Sequence, residues 1–483
     1  MKALTIGVAL LTAAIIVTMG GCTISTPNGP ASNLGSQTVT RYVAIGNSLT
    51  AGYQSNALYA SAQDFSFPNL IARQLRLAGA TIPNFEQPLY GDPGNADPTT
   101  GKAARYELIS LVGPVIGPRG LTAGAPLNTG LTRQYDNLGI PGAVIFDFLD
   151  TTSFTIKAGP PRNNAFFSLV LRQSALGKTI LAQARALRPD LVTFWLGNND
   201  VLGYATSGGV SPSAPTSAAI FAALYAQAFD SLRASLPNAK IVVANIPNVT
   251  AIPFFNTLGP KVKPLIPPGV YLRYQKHGNT SLAFDSTRFT EANAPLLTLT
   301  GSAYATLLGA NTGKWYRDKG ILPPPAGIDT TKPFGFHPQN PWPDALTLDA
   351  DEQVVAGAAV NAFNGTIATL AAAKGAALVD MNAFFTSVKA NGYSSGGQKF
   401  TADYITGGLF SLDGVHPSSK GGGVVANQFI KVMNATWAMS IPMVDISSIP
   451  SIPVPFGKIS GNGIPAIPAS SFKDFDWLWG QSN

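Results

Sequence analysis

Four short apolar runs constrain the fold of this 483-residue chain more than any other feature. Residues 39–45 are β-branched and aromatic and stop at Gly46; residues 191–196, 240–246 and 376–379 are apolar almost throughout. A strand with one face in water alternates apolar and polar residues, whereas a strand covered on both faces is apolar continuously. Helical spacing fills the intervals. Residues 68–78 place Leu70, Ile71, Leu75 and Leu77 on one face, and residues 166–187 and 217–236 are longer amphipathic stretches. Residues 349–373 form another long helix, with Asp349 and Glu352 spaced as a capping box and Gly375 set to end it. Residues 424–437 read as the last core helix. Strands alternating with helices predict a doubly wound α/β fold around a parallel sheet.

With 45% hydrophobic and 12% charged residues, the chain is neither disordered nor a coiled coil, and its length suffices for a sizeable core. Two long Gly/Pro-rich segments, 79–134 and 247–345, interrupt the alternation and read as insertions. Segments this long serve as lids or binding loops, or decorate the surface. Within residues 247–345, Phe254, Phe255, Leu265 and Ile266 read as exposed apolar side chains. The tail, 441–483, alternates Ile-Pro and Ser-Pro, which favours an extended segment. It closes on Phe475-Asp476-Trp477-Leu478-Trp479, aromatics suited to packing back on the domain or to binding a partner.

The N-terminus reads as an export signal. Lys2 precedes a charge-free apolar stretch, residues 3–19, and then Gly20, Gly21 and Cys22. The stretch is short for a bilayer-crossing helix, which takes about 20 apolar residues, and small residues follow it as at a signal-peptide cleavage site. No other segment reads as long and apolar enough to span a membrane. Cys22 is the only cysteine, so no internal disulfide forms. Residues 23–37 are rich in Ser, Asn, Pro and Gly and read as a tether. The net charge of +7 is scattered, with no basic run or stripe, which argues against nucleic-acid binding.

Acyl transfer needs a nucleophile, a base, an acid that orients the base, and donors for the oxyanion. Ser48 follows the first strand directly, where α/β folds place their ligands, although a helix-capping turn would also put a serine there. Of the three histidines, only His416 has an aspartate three residues earlier, Asp413, able to reach its second ring nitrogen. A surface turn would also explain that pair. His277 and His337 read as structural or exposed. Asn199, in Gly197-Asn198-Asn199-Asp200, follows the strand ending at Leu196 and offers a side-chain amide. Gly142 offers a backbone N–H that no side chain blocks. Both also fit ordinary turns. A rival exists in Gly392-Tyr393-Ser394-Ser395-Gly396, which matches G-x-S-x-G. That motif requires a strand before it and a helix after it, and here it follows a helical stretch, so Ser394 reads as a serine in a flexible loop. No H-E-x-x-H, cysteine pair, P-loop or G-x-G-x-x-G after a strand is present, so neither a metal nor a nucleotide cofactor is expected.

Ser48, Gly142, Asn199 and Asp413 with His416 occur in the order in which the SGNH superfamily, or GDSL esterases and lipases, supplies its four blocks. The chain resembles that superfamily over residues 40–437, outside the two insertions. The resemblance implies a flavodoxin-like three-layer α/β/α sandwich, with the hydrolase domain at 38–440. It implies Ser48 as nucleophile, His416 as base, Asp413 as its orienter, and an oxyanion hole from the Ser48 and Gly142 backbone N–H groups and the Asn199 side chain. The family often has Asp before the serine; this chain has Asn47. Met19-Gly20-Gly21-Cys22 resembles a bacterial lipobox, which implies a signal peptide over residues 1–21 and a lipid on Cys22. The expected protein is thus an exported carboxylic ester hydrolase. It is held in the cell envelope by its lipid, on the outer membrane in a Gram-negative cell, and acts on lipid or acyl esters. The alternatives are a carbohydrate O-acetylesterase of the same fold and a non-catalytic envelope lipoprotein that binds.

Overall fold

The computed structural model describes residues 31–97, 100–151, 164–210, 214–276, 284–453 and 462–472. The leader, Cys22, most of the tether, His277 and residues 475–479 lie outside the described residues.

The sheet has five strands: β1 (Tyr42–Gly46), β2 (Asn137–Gly139), β3 (Leu191–Trp195), β4 (Lys240–Ala244) and β5 (Ala377–Val379). Their order is β5-β4-β3-β1-β2, and every pairing is parallel. Four of these strands are the apolar runs. The fifth, β2, carries no strand signal in the sequence. It is a three-residue edge whose Asn, Leu and Gly have little strand preference, and it forms because Ala44, Ile45 and Gly46 pair with it in register.

Seven of the described helices have eight residues or more. They are α1 (Phe67–Leu77), α2 (Ile180–Leu187), α3 (Asn199–Thr206), α4 (Ala218–Ser235), α5 (Ala350–Ala373), α6 (Met381–Asn391) and α7 (Ser419–Trp437). Neighbouring residues of β3 show how the layers are built, because successive strand side chains point to opposite faces. Phe194 meets Tyr225 and Phe229 of α4 edge-on, at 5.7 Å each. Trp195 meets Phe67 of α1 and Phe429 of α7 on the other face, at 5.7 and 6.0 Å. Burying each such side chain contributes roughly 1.5–3 kcal/mol. The result is the three-layer α/β/α sandwich expected.

Several expectations need correction. The stretch 166–187 is not one helix. It breaks into Phe166–Leu171, a single turn Ser174–Leu176, and α2, with Arg172 (φ 56°) and Gly177 (φ 118°) in left-handed backbone between them. Helix α7 starts five residues before its apolar pattern. In the added first turn, Gly421 and Gly422 let the helix pass close to another backbone. A Cβ at either would lie 2.1 Å from Leu409 O or 2.4 Å from Phe65 O. Phe254, Phe255 and Ile266 are buried, and only Leu265 is exposed. The second insertion builds its own core around Leu258, Val262, Trp315, Tyr316 and Trp342, which periodicity along the chain does not reveal. The tail returns to the domain. Ile441, Val444, Ile446 and Ile449 enter the main core, and Ala466 pairs with Val115 of the first insertion. Helix α5, contrary to expectation, also has the length and apolarity of a membrane span. Its stripe Ala356, Val360, Phe363, Ile367 and Ala371 is buried, and Phe363 stacks on Phe221 of α4 at 3.9 Å, as a sheet-covering helix requires.

The capping box forms as expected: Glu352 N donates to Asp349 Oδ1 at 2.9 Å, and Asp349 N to Glu352 Oε2 at 2.7 Å. Burial, reinforced by Asp349 and Asp344, pushes the Glu352 carboxyl up to about 8. A carboxyl raised in the fold favours the folded state most below its unfolded pKa, roughly 4.3, and that advantage is lost as pH rises towards about 8. Glu352→Gln keeps the cap and removes the ionisation. It is expected to stabilise the protein at pH 9 relative to pH 5, by on the order of 1–3 kcal/mol in denaturant unfolding.

Candidate active site

Chain geometry brings Ser48 to the carboxyl end of β1, between the central strand β3 and the edge strand β2. Gly46 ends the strand, and a Cβ there would lie 2.0 Å from Thr50 Oγ1 and 2.9 Å from Trp195 O, so the turn tolerates no side chain. Asn47 Oδ1 accepts from Leu49 N at 3.1 Å and caps the short helical turn Ser48–Ala51.

Ser48 Oγ lies 2.9 Å from His416 Nε2, and His416 Nδ1 lies 3.0 Å from Asp413 Oδ2. All three are buried, at 2%, 1% and 0% exposure. Asp413 also accepts from Asn56 N at 3.0 Å, Val415 N at 2.9 Å and His416 N at 2.8 Å. Burial alone would raise its pKa. The adjoining His416 and these hydrogen bonds outweigh burial and hold the carboxyl below its ordinary range. A carboxylate in this position fixes the imidazole tautomer and supports a positive charge on the ring.

The 411–416 loop is held from two sides. Ser55 N donates to Ser411 Oγ at 2.8 Å, and Tyr53 packs its ring 4.9 Å from that of His416. Ser55 and Asn56 both adopt left-handed backbone (φ 51° and 62°), in a turn closed by reciprocal 3.1 Å bonds between Gln54 and Ala57. Two such residues in succession mark a type I′ turn, and a non-glycine there costs on the order of 1–3 kcal/mol. The turn aims Asn56 N–H at Asp413. On the other side Phe254 N donates to Gly414 O at 3.0 Å, so the second insertion buttresses the loop.

Asn199 begins α3 and lines the same cleft as Ser48 and His416. Its Nδ2 donates to Ala143 O at 2.8 Å, tying it to the turn that carries Gly142 (φ 80°). Gly142 itself is not among the cleft-lining residues. Asp200, next along, accepts from Ile145 N at 2.9 Å and Thr216 Oγ1 at 2.9 Å, and so fixes that turn against α3. Asn56, Tyr53 and Asp200 support the site beyond the residues to which the sequence points. Asp200 is visible beside Asn199, whereas the other two have no local signature.

Free space in the cleft and in front of its open mouth together amounts to about 560 Å³. Apolar side chains from β3, α3, α6, the start of the second insertion and the segment before α7 dominate its wall, among them Trp195, Leu202, Ile252, Phe385 and Phe410. Ser394 is exposed on a two-stranded hairpin, Tyr393–Ser395 with Gln398–Phe400, rather than in a loop, and does not line the cleft. His337 is half-buried, and its Nδ1 accepts from Gln339 N at 3.2 Å. Among the described residues, no three His, Cys, Asp or Glu side chains are grouped to hold a metal.

A family model described as GDSL-like Lipase/Acylhydrolase matches residues 42–429. The chain belongs to this family. The match takes in the strand before Ser48, the Asn199 turn and the Asp413–His416 loop, together with both insertions. GDSL-like acylhydrolases cleave esters, and this member is accordingly an ester hydrolase. Among solved structures, a protein of Parabacteroides merdae ATCC 43184 described as a candidate GDSL-like lipase is similar at 11% identity and a TM-score of 0.33, covering 83% of this chain and 99% of its own. LAE5, described as an alpha/beta hydrolase enzyme from the metagenome of Lake Arreo, Spain, is similar at 12% identity and a TM-score of 0.32, covering 82% and 96%. No match was found among the curated proteins.

Proposed function

We propose that this GDSL-like hydrolase cleaves carboxylic esters through an acyl-enzyme on Ser48. The observation that carries the reading is the buried chain from Ser48 Oγ through His416 to Asp413, 2.9 and 3.0 Å long. His416 Nε2 takes the hydroxyl proton as Ser48 Oγ attacks the ester carbon, and returns it to the departing alcohol. Water then repeats the sequence on the acyl-enzyme. Asn199 Nδ2 and the backbone N–H of Ser48, both from cleft-lining residues, would receive the oxyanion, and the family resemblance adds the Gly142 N–H. The apolar wall, better suited to an acyl chain than to a sugar ring, supports lipid or acyl esters over acetylated polysaccharide. The purified protein is expected to turn over p-nitrophenyl esters. No turnover at any chain length would favour a binding protein that keeps the fold.

The leader supports a further part of the reading, an envelope protein anchored through Cys22. Intact-mass and peptide mass spectrometry of the mature chain should find Cys22 as an acylated first residue. A free Cys22 thiol, with cleavage elsewhere, would refute the anchor.

A further inference from the structure

Two amides stand in the wall of the catalytic cleft beside the residues already given a role. Asn198 is 6% exposed, and neither its Oδ1 nor its Nδ2 has a hydrogen-bond partner. Asn47 is fully buried; its oxygen caps the Ser48 turn, and its Nδ2 has no partner. Asn198 occupies the N-cap position of α3, where an asparagine oxygen ordinarily accepts from the first turn of the helix. Here it makes no such bond. A buried polar group without a partner is costly, and a side chain with both a donor and an acceptor in that state has two such costs. Both residues line the cleft together with Ser48, Asn199 and His416.

Among the described residues, the cleft lining contains no Lys, Arg, Asp or Glu. A phosphate, carboxylate or ammonium group on the substrate would find no counter-charge there, and burying it would be unfavourable. The complement of Asn198 is a neutral group that donates and accepts at one atom. A hydroxyl does both. Because Asn198 is the chain neighbour of Asn199, that hydroxyl would lie within a few bonds of the ester carbonyl.

We infer that Asn198 is a specificity-determining residue that selects neutral esters carrying a hydroxyl close to the scissile bond, on the alcohol or the acyl side. The inference rests on the proposed serine-hydrolase reading of the site. It separates hydroxylated neutral esters from both plain alkyl esters and charged phospholipids.

The test compares kcat/KM of the full-length protein on three esters. Propyl octanoate is the reference. 2-Hydroxyethyl octanoate carries the hydroxyl on the alcohol at nearly the same size, and propyl 3-hydroxyoctanoate carries it on the acyl chain. One hydroxylated ester is expected to exceed the reference by roughly tenfold or more, and the arm that does so identifies the side. In Asn198→Leu, close in volume but without polar atoms, the ratio is expected to fall to about one. Asn198→Ala gives the same reading should the leucine variant not fold. A wild-type ratio near one on both arms, or a preference that persists in the variant, overturns the inference while leaving the hydrolase reading intact. No turnover of the three esters overturns the inference, and the hydrolase reading falls with it only if p-nitrophenyl esters of every chain length are also left intact.

Discussion

Replacing Ser48 by alanine is expected to lower kcat on p-nitrophenyl esters by about 10⁴-fold or more while leaving the fold in place. The magnitude follows from the chemistry: without the Oγ there is no acyl-enzyme, and what remains is the contribution of binding and oxyanion donors to attack by water. Stability should change little. Ser48 Oγ makes one hydrogen bond, to His416 Nε2, and its loss is worth on the order of 1 kcal/mol. Stopped assays paired with thermal unfolding separate the two effects. Ser394→Ala, on its exposed hairpin, is expected to keep wild-type kcat.

Asp413→Asn is the second large effect, and it acts on both activity and stability. The carboxylate accepts from four donors: Asn56 N, Val415 N, His416 N and His416 Nδ1. An amide of the same shape offers one oxygen and turns an NH₂ towards two of those donors. His416 would then be held in the wrong tautomer, and kcat should fall by about 10⁴-fold. The buried donors left facing the NH₂ should cost roughly 1–3 kcal/mol in denaturant unfolding. The pH dependence has a definite sign. Because the folded carboxyl titrates below its ordinary range, its contribution is fully present above roughly pH 4 and is lost as pH falls through the folded value. The stability gap between wild type and Asp413→Asn is thus expected at pH 7 and should shrink at pH 3.

How far these groups can be found from the sequence depends on whether their causes are local. Strands β1, β3, β4 and β5 are legible because burial on both faces leaves an apolar run, and the α5 cap because Asp349 and Glu352 lie one turn apart. The Asp413–His416 contact is legible for the same reason, since three residues span it. Strand β2 has no such cause. Asn137-Leu138-Gly139 is a strand only because β1 offers an edge. Phe254 and Phe255 read as exposed because their partners, among them Leu299, are distant in sequence or lie in another layer. Asn56 has no signal at all, since its N–H matters only because a left-handed turn 357 residues away from Asp413 points at that carboxylate. Asn198 is visible as one letter of Gly-Asn-Asn-Asp, but its lack of partners is a property of the packed cleft.

A fluorophosphonate reacts covalently with an activated serine nucleophile, the role proposed for Ser48. The most direct measurement is therefore peptide mass spectrometry of the labelled wild-type protein. A single phosphonyl adduct on the peptide that contains Ser48, absent from Ser48→Ala and from protein labelled after saturation with ester substrate, is the predicted result. An adduct on Ser394, or turnover of esters with no adduct on Ser48, would contradict it.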